Sequence, residues 1–243
     1  MKNPGYLALL TGLTVLAGTL TAAEPPKASA WAASAGLNFT LTAGNSETLL
    51  VGADINAAKK TKENEYLLGA AGAYGENDGT VNNQLLRGYG QWNHLFDDRL
   101  YSWVRGEALH DGVADVDYRL TGAAGLGYYL IKDARTQLSV EAGPGYVYEK
   151  LGSGKNDFVT VRFAERFERK LNDTARIWQS VEFLPNVSDF TGDYIVNAEL
   201  GVEAALNKKL SLRTILTDTY DSTPSAMRKR NDLKLTTGVA YKF

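Results

Sequence analysis

The last twelve residues alternate without a break. Leu233, Leu235, Thr237, Val239, Tyr241 and Phe243 fall on one face, and Asp232, Lys234, Thr236, Gly238, Ala240 and Lys242 on the other. Successive side chains of a strand point to opposite faces, so this stretch predicts a strand with one apolar and one polar wall. The same pattern runs back through the chain. Leu37, Phe39 and Leu41 oppose Asn38, Thr40 and Thr42, and Val196, Ala198, Leu200 and Val202 oppose Asn197, Glu199 and Glu203. Twelve such segments begin near residues 31, 48, 65, 83, 100, 117, 137, 157, 174, 193, 210 and 231, with no helical period between them.

Twelve is even, which returns both ends of a closed antiparallel barrel to one side. In a soluble barrel the apolar faces of twelve strands would surround a lumen too wide to pack. Facing lipid, they leave a polar interior instead, and aromatic residues near the strand ends would form interface girdles. The expected fold is therefore all-β, a transmembrane antiparallel β-barrel of about twelve strands. Connections at 59–63, 97–98, 132–134, 172–173 and 207–209 predict turns on the side of the termini, tight after the first. Those at 75–82, 111–116, 151–156, 185–192 and 221–230 predict longer outer loops, while the first outer connection, Gly44-Asn45-Ser46, is short.

Ahead of the strands, Lys2 precedes an uncharged run at 7–20 and small residues at Thr21, Ala22 and Ala23, before Glu24-Pro25-Pro26. This is the layout of a cleaved signal peptide. The run is shorter than the ~20 residues of a spanning helix. The expected organisation is a signal peptide at 1–23, with Ala30 as a second cleavage candidate, a short periplasmic segment at 24–30, and the barrel domain at 31–243.

Chemistry is sparse. A net charge of −2 argues against a nucleic-acid binder, and the absence of cysteine excludes a disulfide framework, a Cys-ligated zinc and a Cys nucleophile. Gly122, Gly125 and Gly127 lie within a strand, and a phosphate cradle needs a following helix. They read as close strand contacts. His110 ends a strand on its outward face, beside Leu86 and Tyr118. The serine sharing its face, Ser102, lies about 26 Å away at strand rise. An interfacial or loop-capping histidine follows, and His94 lies beside a turn. No catalytic residue, cofactor or metal site is expected.

Polar chemistry accumulates in the lumen. By parity it holds Arg87, Arg105, Arg119, Arg162, Arg166, Arg176, Arg213 and Lys234 against Asp54, Glu107, Glu141, Glu168, Glu182, Glu199 and Glu203. Eight against seven is near balance, so bulk charge selects neither anions nor cations. The groups either brace the wall as Arg–carboxylate pairs or form a constriction that sorts small polar solutes, and both can hold together. One carboxylate breaks the pattern. Glu165 shares the lipid-facing parity of Val161 and Phe163, and a hairpin centred on Asn172 places it opposite Gln179, where the two can hydrogen-bond; a bulge turning it inward and a subunit contact are the alternatives. The outer carboxylates Asp78, Asp111, Asp115, Asp117, Asp157, Asp189 and Asp193 are solvated loop groups or share bridging divalent ions. Arg228-Lys229-Arg230 could contact lipopolysaccharide phosphates.

Three features carry a family resemblance: the Gly44-Asn45-Ser46-Glu47-Thr48 turn, His110-Asp111, and the stretch from Tyr220-Asp221-Ser222-Thr223-Pro224 through Lys229-Arg230-Asn231-Asp232 to the terminal aromatic. Over residues 31–243 the chain resembles the YdiY-like salt-induced outer-membrane proteins, a β-barrel family with a domain of unknown function. The resemblance implies location and fold, and no activity. Val239, Tyr241 and Phe243 also resemble the C-terminal signature read by the barrel-assembly machinery. The expected function is an outer-membrane narrow passive channel for ions or small polar solutes. The alternatives are a non-conducting structural or envelope-stress barrel and, last, a lipid hydrolase. Expected partners are outer-membrane lipids, lipopolysaccharide and the assembly machinery.

Overall fold

Four of the turns are built on one device. In the computed structural model, which describes residues 31–42 and 48–243, Asp97, Asp133, Asn172 and Asn207 each accept the backbone N–H groups two and three residues ahead, at 2.6–2.9 Å. A short polar side chain that closes such a turn reverses the chain cheaply between antiparallel strands.

Twelve strands result: β1 (Ala32–Thr42), β2 (Thr48–Lys60), β3 (Asn64–Asn77), β4 (Thr80–Leu95), β5 (Leu100–Asp111), β6 (Val116–Lys132), β7 (Thr136–Leu151), β8 (Gly154–Lys170), β9 (Ala175–Asn186), β10 (Asp189–Ala205), β11 (Leu210–Asp221) and β12 (Asn231–Lys242). Each pairs antiparallel with its neighbours in sequence, and β1 pairs with β12 to close the barrel. The described residues contain no helix. Closure gives main-chain polar groups partners within the wall, which a structure in lipid requires. The closing seam is short, four residue pairs from Ser34–Lys242 to Leu37–Val239, against eleven between β1 and β2.

The apolar parity faces outward. Leu37, Phe39, Ile55, Leu86, Leu126, Val159, Leu233 and Leu235 are all exposed. In water they would form an apolar surface far larger than a monomer shows. Aromatic contacts gather towards both rims. Trp31–Tyr66, Trp92–His94–Phe96 and Tyr241–Phe243 sit at the end that carries the termini. Tyr118–Tyr148, Phe183–Phe190 and Tyr194–Tyr220 lie toward the other. Inside, glycines make room for large rings. The Tyr101 ring occupies the space a side chain at Gly127 would need, and the Trp178 ring does the same at Gly201. Gly125 packs against the Gly143 backbone, whereas Gly122 has open space beside it, so only two of the three β6 glycines are close contacts.

Two sequence expectations are corrected. The expected asymmetry of short inner turns and long outer loops is absent. The inner turns, the first included, have three or four residues, and three of the described outer connections have only two. Asp78 and Gly79, at φ 49° and 73°, close the β3–β4 hairpin, as type I′ turns require. The antiparallel ladder simply continues past the apolar band, because paired main chain is favourable there too. The nine residues 222–230 form the one long outer loop among the described residues. The second correction is register. Glu165 lies opposite Val181, and Gln179 opposite Phe167. The N–H groups of Leu171 and Asn172 both donate to the Ala175 carbonyl, which moves the hairpin centre one residue on. Glu165 and Gln179 are therefore diagonal neighbours on the same face. The ladder from Phe163–Phe183 to Lys170–Arg176 runs without a bulge, so Glu165 stays outward. Asp218, opposite Ala198 and Leu233, is a second outward carboxylate. The signal segment and the Gly44-Asn45-Ser46 turn lie outside the described residues.

Candidate functional site

Side chains on strands that are not neighbours can meet only through the barrel interior, and many do. Arg213 on β11 donates to Asp54 on β2 at 3.0 Å and to Ser34 on β1 at 3.3 Å. Beside it, Glu203 is 2% exposed and accepts from Arg176 at 2.8 Å and Arg213 at 3.4 Å, with the Lys242 ammonium paired to its other oxygen at 2.6 Å. Arg176 also reaches Glu168 at 3.3 Å, while Arg166 makes only a loose 3.9 Å approach to Glu168.

A second cluster crosses the middle of the barrel. Arg162 bridges Glu141 at 2.6 Å and Glu182 at 2.5 Å, with its guanidinium 4.7 Å from the Trp103 ring centre. Gln91 and Tyr101 donate to the same Glu141, at 2.8 and 3.1 Å. Arg105 and Arg87 share Glu107, at 2.7 and 2.9 Å, and Arg105 stacks over Tyr89. Glu199 accepts from the Trp178 indole at 2.5 Å. Tyr101 and Trp103 are each 1% exposed, so this cluster forms a dry septum over part of the cross-section.

The third set lies at the outer end. Arg119 is held between Glu149 and Asp221, both at 2.5 Å, and Lys234 reaches Asp111 at 3.1 Å and Asp232 at 3.0 Å. Above them the 222–230 loop reaches over the mouth. Its Ser225 hydroxyl donates to Asp115 at 2.6 Å, and a cavity of about 460 Å³ lies between Pro224–Met227 and the β7–β8 hairpin tip.

All fifteen residues assigned to the lumen by parity take part in these contacts. Sequence reasoning missed four carboxylates that the interior uses. Glu65, buried near the inner rim, accepts from Tyr129 at 2.7 Å and Asn93 at 3.1 Å. Glu149 and Asp221 hold Arg119, and Asp111 was assigned to a loop. Glu149 has the inward parity of Glu141 and was legible. Asp111 shares the inward parity of Arg105 and Glu107 and was equally legible, because β5 continues through it instead of ending before it.

Most charges are locally neutralised as hydrogen-bonded pairs, which brace the walls against one another. Water still reaches some of them: the Arg87 side chain is 35% exposed. Outside, Asp117 pairs with Lys150, Asp157 accepts from Tyr146, Asp193 from Asn186 and Thr223, and Asp189 from the Gly192 N–H. Among the described residues no group of three or more carboxylates and histidines could hold a metal ion. A ring nitrogen of His110 lies 2.9 Å from the Asp117 carbonyl, which ties the strand end to the next strand. His94 contacts Asn64 at 3.3 Å.

Known structures agree on the architecture. The chain superposes on the NanC porin with a TM-score of 0.55 at 7% identity, covering 87% of this chain and 100% of that one. At such low identity the likeness shows fold alone, that of an outer-membrane β-barrel. The KdgM porin in complex with disordered oligogalacturonate (TM-score 0.48, 6% identity, 88% and 99% coverage) and LpxR from Salmonella typhimurium (0.47, 8%, 88% and 99%) are more distant and carry no argument. A comparison with curated proteins gives no match. The family model described as "Protein of unknown function, DUF481" matches residues 33–243, nearly the whole barrel, and the chain belongs to that family.

Proposed function

We propose that the protein is exported by its leader, resides in the outer membrane, and acts there as a narrow pore of low conductance for small ions and polar solutes. One observation carries this reading. Among the described residues the walls are joined across the interior by side-chain ion pairs, Arg119–Asp221 and Lys234–Asp111, and not by a plug of main chain. Side chains can part by a rotamer change, whereas a folded plug would have to leave. With the four further carboxylates the interior holds eleven acids against the eight predicted bases and Lys242, a modest acidic excess that gives a weak preference for cations. His110, engaged with a carbonyl, supports no hydrolytic role. Arg228-Lys229-Arg230 would meet lipopolysaccharide phosphates, and Val239, Tyr241 and Phe243 the assembly machinery. Recordings from purified protein in planar bilayers test the pore; small, weakly selective steps are expected.

A second reading is favoured by the septum, where Tyr101 and Trp103 are buried with Arg162. In it the barrel is sealed and serves the envelope mechanically, in keeping with the resemblance to salt-induced YdiY-like proteins. No conductance at any voltage or salt would establish this reading over the first.

A further inference from the structure

Glu165, like Asp218, faces the membrane with no counter-charge. Glu165 is outward on β8, between Phe163 and Phe167 along the strand and opposite Val140 and Val181 across it. Gln179, its diagonal neighbour, is the polar side chain beside it, and no charged side chain bears on it. An ionised carboxylate has about four acceptor positions, so most of its capacity is unused. An acidic group on the lipid face is unfavourable, and an ionisable group within a membrane points to a partner.

The wall beside it is dented. A groove of about 460 Å³ crosses the outer face from Leu100 on β5 to Phe183 on β9, four strand spacings or roughly 19 Å. Its depth comes from Ala142, whose methyl leaves a gap between Leu126 and Phe163, its neighbours across β6 and β8. Glu165 forms part of the groove's edge.

Depth in the bilayer decides what can reach Glu165. The outward series on β8 ends at Arg169, four residues toward the inner rim, a change in depth of about 10 Å for a strand tilted by ~40°. Lipid headgroups stay above that level, and acyl chains carry no donor. The missing donor must therefore come from protein. Gln179, on the same face, brings an amide with two N–H groups beside the acceptor, so the face is complementary to itself under a twofold rotation.

We infer that this face is the interface of a homodimer in the membrane. Each Gln179 amide donates to the other copy's Glu165, and an aromatic from the opposing rim, Phe163 or Phe183, fills the gap over Ala142. Interhelical polar contacts in membranes follow the same logic, here between two sheets. The inference rests only on the membrane-barrel part of the proposed function.

The test counts subunits by single-molecule photobleaching of labelled full-length protein in lipid vesicles, across a dilution series. Two-step bleaching is expected for wild type. Glu165→Val with Gln179→Leu should weaken association at least tenfold, and Ala142→Trp, which fills the groove and spares the polar pair, should do the same. Asp218→Leu, outward but on β11, should leave the dimer intact. Folding is followed separately by the gel shift on boiling, which distinguishes a failed barrel from a failed interface. One-step bleaching of folded wild type at every dilution overturns the inference, as does a dimer that survives both groove variants. A folded monomer retaining an amphiphile in mass spectrometry overturns it too, in favour of that ligand.

Discussion

The Arg119 guanidinium on β6 meets the Asp221 carboxylate on β11 at 2.5 Å, although 102 residues and four intervening strands separate them. Glu149, on the neighbouring β7, holds the other side of the same guanidinium. The contact therefore spans the lumen just beneath the loop that covers the mouth. It fixes the distance between opposite walls.

Breaking this latch from one side should be costly. Arg119→Met leaves two buried carboxylates facing each other without a cation, and loss of one partner of a buried pair costs about 3–5 kcal/mol. The boiling-dependent gel shift should then occur at a markedly lower temperature. An unchanged transition would mean that water already solvates these groups.

The loop over the mouth can be tested directly, because the chain has no cysteine. Asp115→Cys with Ser225→Cys, oxidised or bridged by a short crosslinker, should lower single-channel conductance, and reductant should restore it. Asp115→Asn with Ser225→Ala should raise it. Equal conductance in locked and released forms would show that the mouth does not limit flow.

Ion preference should respond most at the charge that water reaches. Arg87→Gln should shift the reversal potential toward cation preference, and Glu107→Gln should shift it the other way. Both shifts should fade in 1 M salt, where screening shortens to ~3 Å. Arg162, 6% exposed and packed on Trp103, should mainly affect stability.

The inner turns predict a pH dependence. The N–H groups of Leu100 and Arg99 hold the Asp97 carboxyl below its usual range, and those of Arg135 and Thr136 do so for Asp133. A folded-state value below the unfolded one means stabilisation is present above the unfolded value and is lost as pH falls through the folded one. Urea unfolding should weaken below about pH 4, near the unfolded aspartate value. Asp97→Asn with Asp133→Asn should flatten that acid limb, and an unaltered limb would assign it to other carboxylates.

The short seam makes assembly sensitive to the last residue. Phe243 donates its N–H to the Ala33 carbonyl at 3.0 Å, adding to the four β1–β12 pairs, and its ring packs on Tyr241. Deleting it should lower the yield of assembled barrel, measured as the heat-modifiable fraction in membranes. Normal yield would remove Phe243 from the assembly signal.

Much of this was legible in the residues. Strand number, inward parity and the turn residues Asp97, Asp133, Asn172 and Asn207 follow from period two and from side chains that cap turns. Outer loop lengths were not legible, because hydropathy marks where a strand leaves the apolar band and not where its hydrogen bonding stops. The β8–β9 register was missed by one step in the turn centre. That step moved Val181 opposite Glu165 in place of Gln179.

By itself the sequence determined which face each side chain takes, since alternation is a local property of an extended backbone and needs no knowledge of neighbours. It did not determine which charges meet. Arg213 finds Asp54, and Lys234 finds Asp111, only once closure brings distant strands across one lumen. Those partnerships depend on strand tilt and stagger. These are properties of the closed sheet as a whole, and no segment of the chain contains them.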